Sequence, residues 1–172
     1  MKLEEIKACF LVTGKKVENN FVDVIRKTFK DVDFLKPNKH QDMIEHWDIG
    51  IITPNNKQIL IDVKGLKKKN RNDNYYNDTE HWIEMKGITG YDGWVYGKSD
   101  YIAFECFEYW LLVDRKELAI LAEELTKDGK IVYETYQARN NRYQRKKWGR
   151  LDECTIAYKE ELLNLKHKKI LK

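Results

Sequence analysis

The stretch of sequence that decides the fold is residues 46–65, HWDIGIITPNNKQILIDVKG. Its two apolar runs, HWDIGII and QILIDVK, are rich in isoleucine and valine, and this composition predicts two β-strands. The TPNNK segment between them contains the proline and asparagine residues that favour a turn. The sequence therefore predicts a β-hairpin.

Three charged residues lie within this predicted hairpin. Asp48 is in the first strand, and Asp62 and Lys64 are in the second. A turn that is symmetric about Asn55 places Asp48 opposite Asp62, with about 5 Å between their Cβ atoms, and puts Lys64 on the same face.

Two carboxylates this close together repel each other, and a divalent cation would remove the repulsion. The pattern thus predicts a Mg²⁺ or Mn²⁺ site at Asp48 and Asp62, with Lys64 beside the metal-bound water. The alternative is a structural ion pair between an aspartate and Lys64 on a solvated sheet face, with Asp48 exposed.

The rest of the chain mixes predicted helices and strands. Residues 16–30, KVENNFVDVIRKTFK, have apolar residues at helical spacing and predict an amphipathic helix. The segments YIAFECF, EYWLLVD and ECTIAY predict strands, and RKELAILAEEL predicts a helix that Asp114 caps. No repeat or linker divides the chain, so residues 1–172 are expected to form a single domain. The predicted fold is α/β or α+β, a mixed central β-sheet flanked by helices.

Composition narrows the class of protein. With 42% hydrophobic and 35% charged residues, the chain is expected to fold. Glu4 and Glu5 precede a short apolar run near the N-terminus, and this segment is too short and too acidic for a signal peptide. No later apolar run is long enough to span a membrane. We therefore expect a cytoplasmic protein without a membrane partner. Cys9, Cys106 and Cys154 are far apart and form no CxxC motif, so reduced thiols are expected instead of disulfides or zinc.

Basic residues are concentrated in residues 66–71, 138–150 and 166–172, which hold 4, 6 and 4 of the 32 cations and no acid. Such clustering predicts a polyanion partner, because clustered cations that neutralise phosphates release the counterions of the nucleic acid, which favours binding. The alternative is a set of solvated loops and a frayed tail. In the second segment Tyr143 and Trp148 are interleaved with arginines, and Tyr136 lies just before them, a mixture that suits base stacking. The residues predicted to bind nucleic acid are Lys67, Lys68, Lys69, Arg139, Arg142, Arg145, Lys146, Lys147 and Arg150.

The set formed by Glu18 on a helix, Asp48 on one strand and Asp62-x-Lys64 on the next resembles the PD-(D/E)xK nuclease superfamily over roughly residues 14–65. The resemblance implies a restriction-endonuclease-like core and a Mg²⁺-dependent endonuclease, similar to small phage or mobile-element nucleases. Carried over from that family, Asp48 and Asp62 are metal ligands, Glu18 supports the metal or its water, and Lys64 is the catalytic lysine. Trp47 stands where the family signature has proline, and Asp62 where glutamate is commoner.

The expected function is therefore hydrolysis of nucleic acid by a nuclease of the resolvase, repair or restriction type, with DNA as the favoured substrate. A homodimer is a further expectation, since related enzymes that cut both strands are often dimers. The rival hypothesis is a catalytically inactive nucleic-acid-binding or inhibitor protein on the same fold. A third hypothesis is that this protein binds a protein partner through its own Trp82, Trp94 and Trp110, although Trp110 is expected in the core.

Two other features have weaker patterns. The glycines between positions 87 and 97 predict an ordinary connecting loop. The alternative is a loop that approaches the site closely, with Glu84 and Lys86 supporting the site. His40, His46 and His81 lack metal-ligand spacing, so structural roles are expected for them.

Overall fold

The computed structural model describes residues 3–68, 75–145 and 149–172, with side chains from residue 14 onward. Within these residues, ten strands form two mixed sheets, and three helices accompany them. This confirms the predicted α+β class, although the strands form two sheets instead of one central sheet.

The first sheet has six strands in the order β1-β2-β3-β5-β6-β10. Strand β3 is parallel to β5, and every other neighbouring pair in this sheet is antiparallel. Its strands are β1 Asp33–Leu35, β2 Ile49–Ile52, β3 Gln58–Lys64, β5 Tyr101–Glu105, β6 Tyr109–Asp114 and β10 His167–Leu171.

The second sheet has four strands in the order β4-β9-β8-β7. Only ECTIAY, which forms β9, was predicted among them. Its strands are β4 Glu80–Lys86, β7 Ile131–Val132, β8 Arg142–Gln144 and β9 Glu153–Tyr158.

Helices cover the sheets on both sides. The helices are α1 Leu3–Thr28, α2 Arg115–Thr126 and α3 Lys159–Asn164, with short π- or 3₁₀-helical turns at Gln41–Glu45, Trp94–Tyr96 and Thr135–Gln137. The predicted cap of α2 is confirmed, because the Asp114 side chain accepts from two backbone N–H groups of the first turn.

Helix α1 is longer than predicted and ends earlier, at Thr28 instead of residue 30. Phe29, which was expected on its apolar stripe, is 46% exposed. Phe21 and Ile25 are fully buried against the first sheet, and the Phe21 ring meets the edge of Trp110 with 5.1 Å between ring centroids. The apolar stripe of α1 therefore anchors the helix on the sheet that carries the hairpin.

The first sheet is buried on both faces. Ile61 and Val63 face α1, in one apolar cluster with Phe21 and Ile25. The opposite face packs against the second sheet and α2 in a separate cluster that includes Ile83 and Phe104. Because side chains alternate along a strand, Asp62 and Lys64 point away from α1.

Contact between α1 and the end of β3 is unusually close at Gly65. A Cβ atom on this residue would lie 2.8 Å from Cγ2 of Val17, so only glycine fits without displacement. This contact places the residue after Val17, Glu18, at the end of the strand that carries Asp62 and Lys64.

His81 joins the two sheets. It lies on β4 with only 7% of its surface exposed, its ring is 4.8 Å from the Phe104 ring, and a ring nitrogen bonds the Asp78 carbonyl oxygen at 3.1 Å. Burial lowers the pKa of His81 from 6.5 to about 4. The structural role expected for His81 agrees with these contacts.

We expect His81 to make stability depend on pH. The unfolded chain takes up a proton near pH 6.5, whereas the folded protein resists it down to about pH 4, so stability falls as the pH drops through this interval. The loss is about 3 kcal/mol in full. Urea unfolding at pH 7 and pH 4.5 should show this decline in the wild type and a much smaller one in His81→Gln. An equal decline in both proteins would contradict the prediction.

Candidate functional site

The hairpin has the register that a turn centred on Asn55 requires. Ile49 pairs with Ile61 and Gly50 with Leu60, and the backbone N–H of Asp48 donates to the Ile61 carbonyl at 2.9 Å. Asp48 lies just before β2, so that its strand begins later than predicted.

The two aspartates meet as the sequence predicts. Oδ2 of Asp48 accepts a hydrogen bond from the Val63 backbone N–H at 2.7 Å, which holds the carboxylate against β3. In this position Asp48 lies opposite Asp62 in the hairpin register, and its charge adds to the effect of burial in raising the pKa of the Asp62 carboxyl group. When both are ionised neither can donate, so a proton or a cation between them is needed to remove the repulsion.

Asp62 is the most constrained group of the site. It is 2% exposed, its Oδ1 accepts from the Lys64 ammonium at 2.7 Å, and its Oδ2 is buried without a hydrogen-bond partner. Burial raises the pKa of Asp62 well above its usual range; the Lys64 charge opposes this, and the Asp48 charge adds to it. An unpartnered oxygen on a buried carboxylate is a costly feature that a bound cation would relieve.

Lys64 is the counter-ion of this carboxylate pair. Its Nζ lies 4.8 Å from the centroid of the buried Trp94 ring and binds Asp62. Burial alone would lower the pKa of Lys64, but the charges of Asp62 and Asp48 outweigh it and raise the pKa. Lys64 is therefore a cation at neutral pH.

Three further carboxylates surround the pair. Burial, followed by the charge of Asp48, raises the pKa values of both Glu18 and Asp42. Burial also raises the pKa of Glu84 on β4, against the charge of Lys64. The structure thus brings Glu18 to the predicted site and gives Glu84 the nearby position considered for it. Asp42 was missed, because its irregular segment has no periodicity that indicates a site.

The donor set around Asp48 and Asp62 fits a hydrated divalent cation. Among the side chains of residues 14–68, 75–145 and 149–172, no three from His, Cys, Asp or Glu are close enough to hold a metal together. Mg²⁺ usually takes one or two carboxylates and completes its shell with water and substrate phosphate. Asp48 and Asp62 offer two adjoining carboxylates, one with an unpartnered buried oxygen, which matches that requirement.

A close backbone contact positions Trp94 under Lys64. The Gly93 backbone N–H donates to the Met85 carbonyl at 3.0 Å, and a Cβ atom at Gly93 would lie 2.3 Å from the Glu84 carbonyl oxygen. The alternative expectation for this loop, close approach beside the site, therefore matches the geometry better than an ordinary connection.

Gly93→Ala is expected to destabilise the fold by about 1–3 kcal/mol, as overpacking does, because the obstructing atom belongs to rigid backbone. Gly87→Ala is the matched control, since the nearest atom to a Cβ there is 3.7 Å away. Denaturant unfolding of both variants checks this. Equal stability losses would contradict the prediction.

Several predicted nucleic-acid-binding arginines are paired within the protein. Arg139 binds Glu161 at 2.6 Å and the Ile156 carbonyl at 3.1 Å. Arg142 contacts Glu123 and Glu153, at 3.5 and 3.4 Å, and Arg150 binds Asp152 at 2.8 Å. These three arginines thus have structural partners that compete with phosphate.

Lys67, Lys68 and Arg145 form no ion pair with any residue that the structure describes. Burial and the positive charges of Lys64 and Arg145 lower the pKa of Lys67, so these cations lie near one another beside the carboxylate pair. Lys69, Lys146, Lys147 and Trp148 lie outside the described residues. The basic surface next to the site therefore rests on Lys67 and Arg145.

The aromatic residues considered for partner binding are largely used inside the fold. Trp110 is fully buried, as expected, and Trp94 is 9% exposed. Trp82 packs against Tyr143 with 5.4 Å between ring centroids. Tyr136, two residues before the second basic segment, is 79% exposed.

Comparison with known proteins finds no matching family model, no similar curated protein and no similar solved structure. Within the described part of the chain, no helix is both long and apolar enough to cross a membrane. The resemblance to PD-(D/E)xK nucleases stays a prediction from Glu18, Asp48, Asp62 and Lys64.

Proposed function

We propose that this protein is a metal-dependent endonuclease that hydrolyses phosphodiester bonds of nucleic acid in the cytoplasm, with DNA as its favoured substrate. The observation that carries the proposal is the buried Asp62 carboxylate, which lies opposite Asp48 in the hairpin, binds Lys64 and keeps one oxygen without a partner. A bound cation would satisfy that oxygen, as a proton shared with Asp48 would in the metal-free protein.

Asp48 and Asp62 would hold the Mg²⁺ or Mn²⁺, and Glu18 would support the metal or its water. The chemistry that such a cation supplies is a lower pKa for bound water and neutralisation of the phosphate charge. The Val63 N–H fixes the Asp48 carboxylate for this purpose. Because its pKa is raised, Lys64 serves as a cation that orients the nucleophile and stabilises developing negative charge, and it does not act as a base.

Nucleic-acid binding without hydrolysis is the second candidate function. The 2.7 Å ion pair between Lys64 and Asp62 favours it, because Lys64 occupies one of the oxygens that a metal would use. On this alternative, the basic surface holds nucleic acid while the carboxylate pair is a remnant balanced by Lys64.

A cleavage assay separates the two functions. Fluorescent single-stranded, duplex and branched DNA, and RNA of the same sequence, are incubated with wild-type protein in Mg²⁺, Mn²⁺ or EDTA. We expect products with a divalent metal and none in EDTA. Binding in EDTA without products under either metal would instead support the non-catalytic function.

Removing Lys67 and Arg145 should lower the salt dependence of nucleic-acid binding. Each lost phosphate contact reduces the slope of log K against log salt by about 0.9 on duplex DNA, so Lys67→Ala/Arg145→Ala should lower it by about two. Lys116→Ala/Lys127→Ala removes two exposed cations near α2 and is the matched control. Fluorescence anisotropy titrations at several salt concentrations give the slopes. Equal slopes in the wild type and both variants would contradict the prediction.

A further inference from the structure

Two consecutive tyrosines next to the end of the hairpin are largely exposed. Tyr75 and Tyr76, which precede β4, are 66% and 52% exposed. The next residue, Asn77, forms an isolated antiparallel bridge with Lys67, and its backbone N–H donates to the Lys67 carbonyl oxygen at 2.9 Å. Lys67 comes three residues after Lys64. The two tyrosines therefore lie next to the chain that leaves the carboxylate pair.

Polar contacts fix the backbone that follows the tyrosines. Oδ1 of Asn77 accepts from the Thr79 backbone N–H at 2.7 Å and from the Thr79 hydroxyl at 2.6 Å. Asp78 is buried, and its Oδ2 accepts from the Phe107 backbone N–H at 3.2 Å and from the Lys159 ammonium at 3.0 Å. The two exposed tyrosines thus stand on an anchored segment.

The cations beside the tyrosines are unpaired. Nζ of Lys68 lies 5.8 Å from the centroid of the Tyr76 ring. Lys67, which bridges to the tyrosine segment, is close enough to Arg145 to be affected by its charge. None of these three cations forms an ion pair with a residue that the structure describes. They are therefore free to bind an anion.

Acids next to this surface, in the described part of the chain, have partners of their own. Asp78 binds Lys159, and Glu105, which accepts from the backbone N–H just before Lys67, binds the terminal Lys172 at 2.8 Å. Glu80 accepts from a side-chain amide at 3.4 Å. The charge left for a binding partner is thus positive, which suits a polyanion.

Exposed aromatic rings beside unpaired cations are the combination with which proteins bind single-stranded nucleic acid. Each base stacks on a ring, and the cations hold the backbone phosphates. Duplex suits such a surface less well, because its bases already stack on one another.

We propose that Tyr75 and Tyr76 form a stacking platform for unpaired bases, whose phosphates lie on Lys67 and Lys68, so that the strand entering the candidate site is single-stranded. This proposal deepens the proposed nuclease function. It rests on that function only for the claim that the bound strand is cut.

The test compares two fluorescein-labelled strands of equal length, oligo-dT and a strand of abasic sugar phosphates, by anisotropy in EDTA so that no cleavage occurs. Both strands carry the same phosphates, but only oligo-dT has bases that can stack. Wild-type protein should bind oligo-dT about tenfold more tightly, the contribution of one stacked base.

Variants assign this preference to the two rings. Tyr75→Leu/Tyr76→Leu should bind oligo-dT as weakly as the abasic strand, whereas Tyr75→Phe/Tyr76→Phe keeps the rings and should keep the preference. Tyr133→Leu is the matched control, because Tyr133 is 43% exposed and follows β7, at the opposite edge of the second sheet from β4. It should behave as the wild type does.

Equal affinities of wild-type protein for the two strands, or a preference that survives in the leucine variant, would overturn the platform. Loss of the preference in the phenylalanine variant or in Tyr133→Leu would also overturn it.

A parallel cleavage assay in Mn²⁺ keeps the two proposals apart. A preference for oligo-dT without cleavage of any nucleic acid overturns the nuclease function alone. Cleavage without that preference overturns the platform alone, and faster cleavage of duplex than of single strands overturns the single-stranded substrate.

Discussion

Asp62→Asn and Lys64→Met are each expected to lower metal-dependent cleavage by about a thousandfold, while nucleic-acid binding survives. Asparagine keeps the shape of Asp62 but removes the charge that a bound metal would need. Methionine keeps the stem of Lys64 over the Trp94 ring, which lies 4.8 Å from the ammonium, but removes the cation. Binding should survive because, in the proposed function, it depends on the basic surface at Lys67 and Arg145 and not on Asp62 or Lys64.

Single-turnover cleavage and anisotropy binding measure these two properties separately. Lys159→Met is the matched control, because Lys159 also binds a largely buried carboxylate, Asp78 at 3.0 Å, but lies outside the candidate site. It should cleave at nearly the wild-type rate. Wild-type rates in Asp62→Asn or Lys64→Met would remove these residues from the catalytic assignment.

Substitutions at a carboxylate inside a folded protein usually lower its stability, but Asp48→Asn is expected not to do so. Asparagine retains an oxygen to accept from the Val63 N–H, which donates to Asp48 at 2.7 Å, and its amide can donate to the Asp62 carboxylate. The variant should therefore be as stable as the metal-free wild type or more stable. Asp48→Ala loses the bond to Val63 and should lose about 1–3 kcal/mol.

A bound metal should reverse this ranking. Mn²⁺ at a hundred times its Kd stabilises the wild type by about 2.7 kcal/mol, and it should stabilise Asp48→Asn far less. Urea unfolding of the wild type, Asp48→Asn and Asp48→Ala, with and without Mn²⁺, gives the six free energies. A clear loss of stability in metal-free Asp48→Asn, with no gain from Mn²⁺ in the wild type, would mean that the carboxylates are structural.

Local patterns explain why the hairpin was predictable. The turn chemistry around Asn55 and the isoleucine-rich strands determine the register, and the register alone brings Asp48 opposite Asp62. The orphaned Oδ2 of Asp62 was not predictable, because it depends on how the second sheet and Trp94 close over the strand.

The second sheet was largely missed, although part of its signal is visible. His81, Ile83 and Met85 alternate with less buried residues along β4, as expected of a half-buried strand. Strands β7 and β8 are only two and three residues long, and their pairing depends on distant segments.

The basic segment shows the limit of reading charge from sequence. Arg139 and Arg142 pair with Glu161 and Glu123, which are 22 and 19 residues away along the chain. A run of cations without nearby acids in the sequence predicted a surface of unpaired cations. In the folded protein, acids from other elements pair with these arginines.

Binding of Mn²⁺ to the metal-free protein tests the central claim most directly. The electron paramagnetic resonance signal of free Mn²⁺ falls when the ion binds, so a titration gives both the number of sites and the affinity. We predict a site on the wild type that Mg²⁺ competes for and that both Asp48→Asn and Asp62→Asn weaken strongly. Wild-type protein that leaves the Mn²⁺ signal unchanged, or variants that bind as the wild type does, would contradict a divalent-cation site at Asp48 and Asp62.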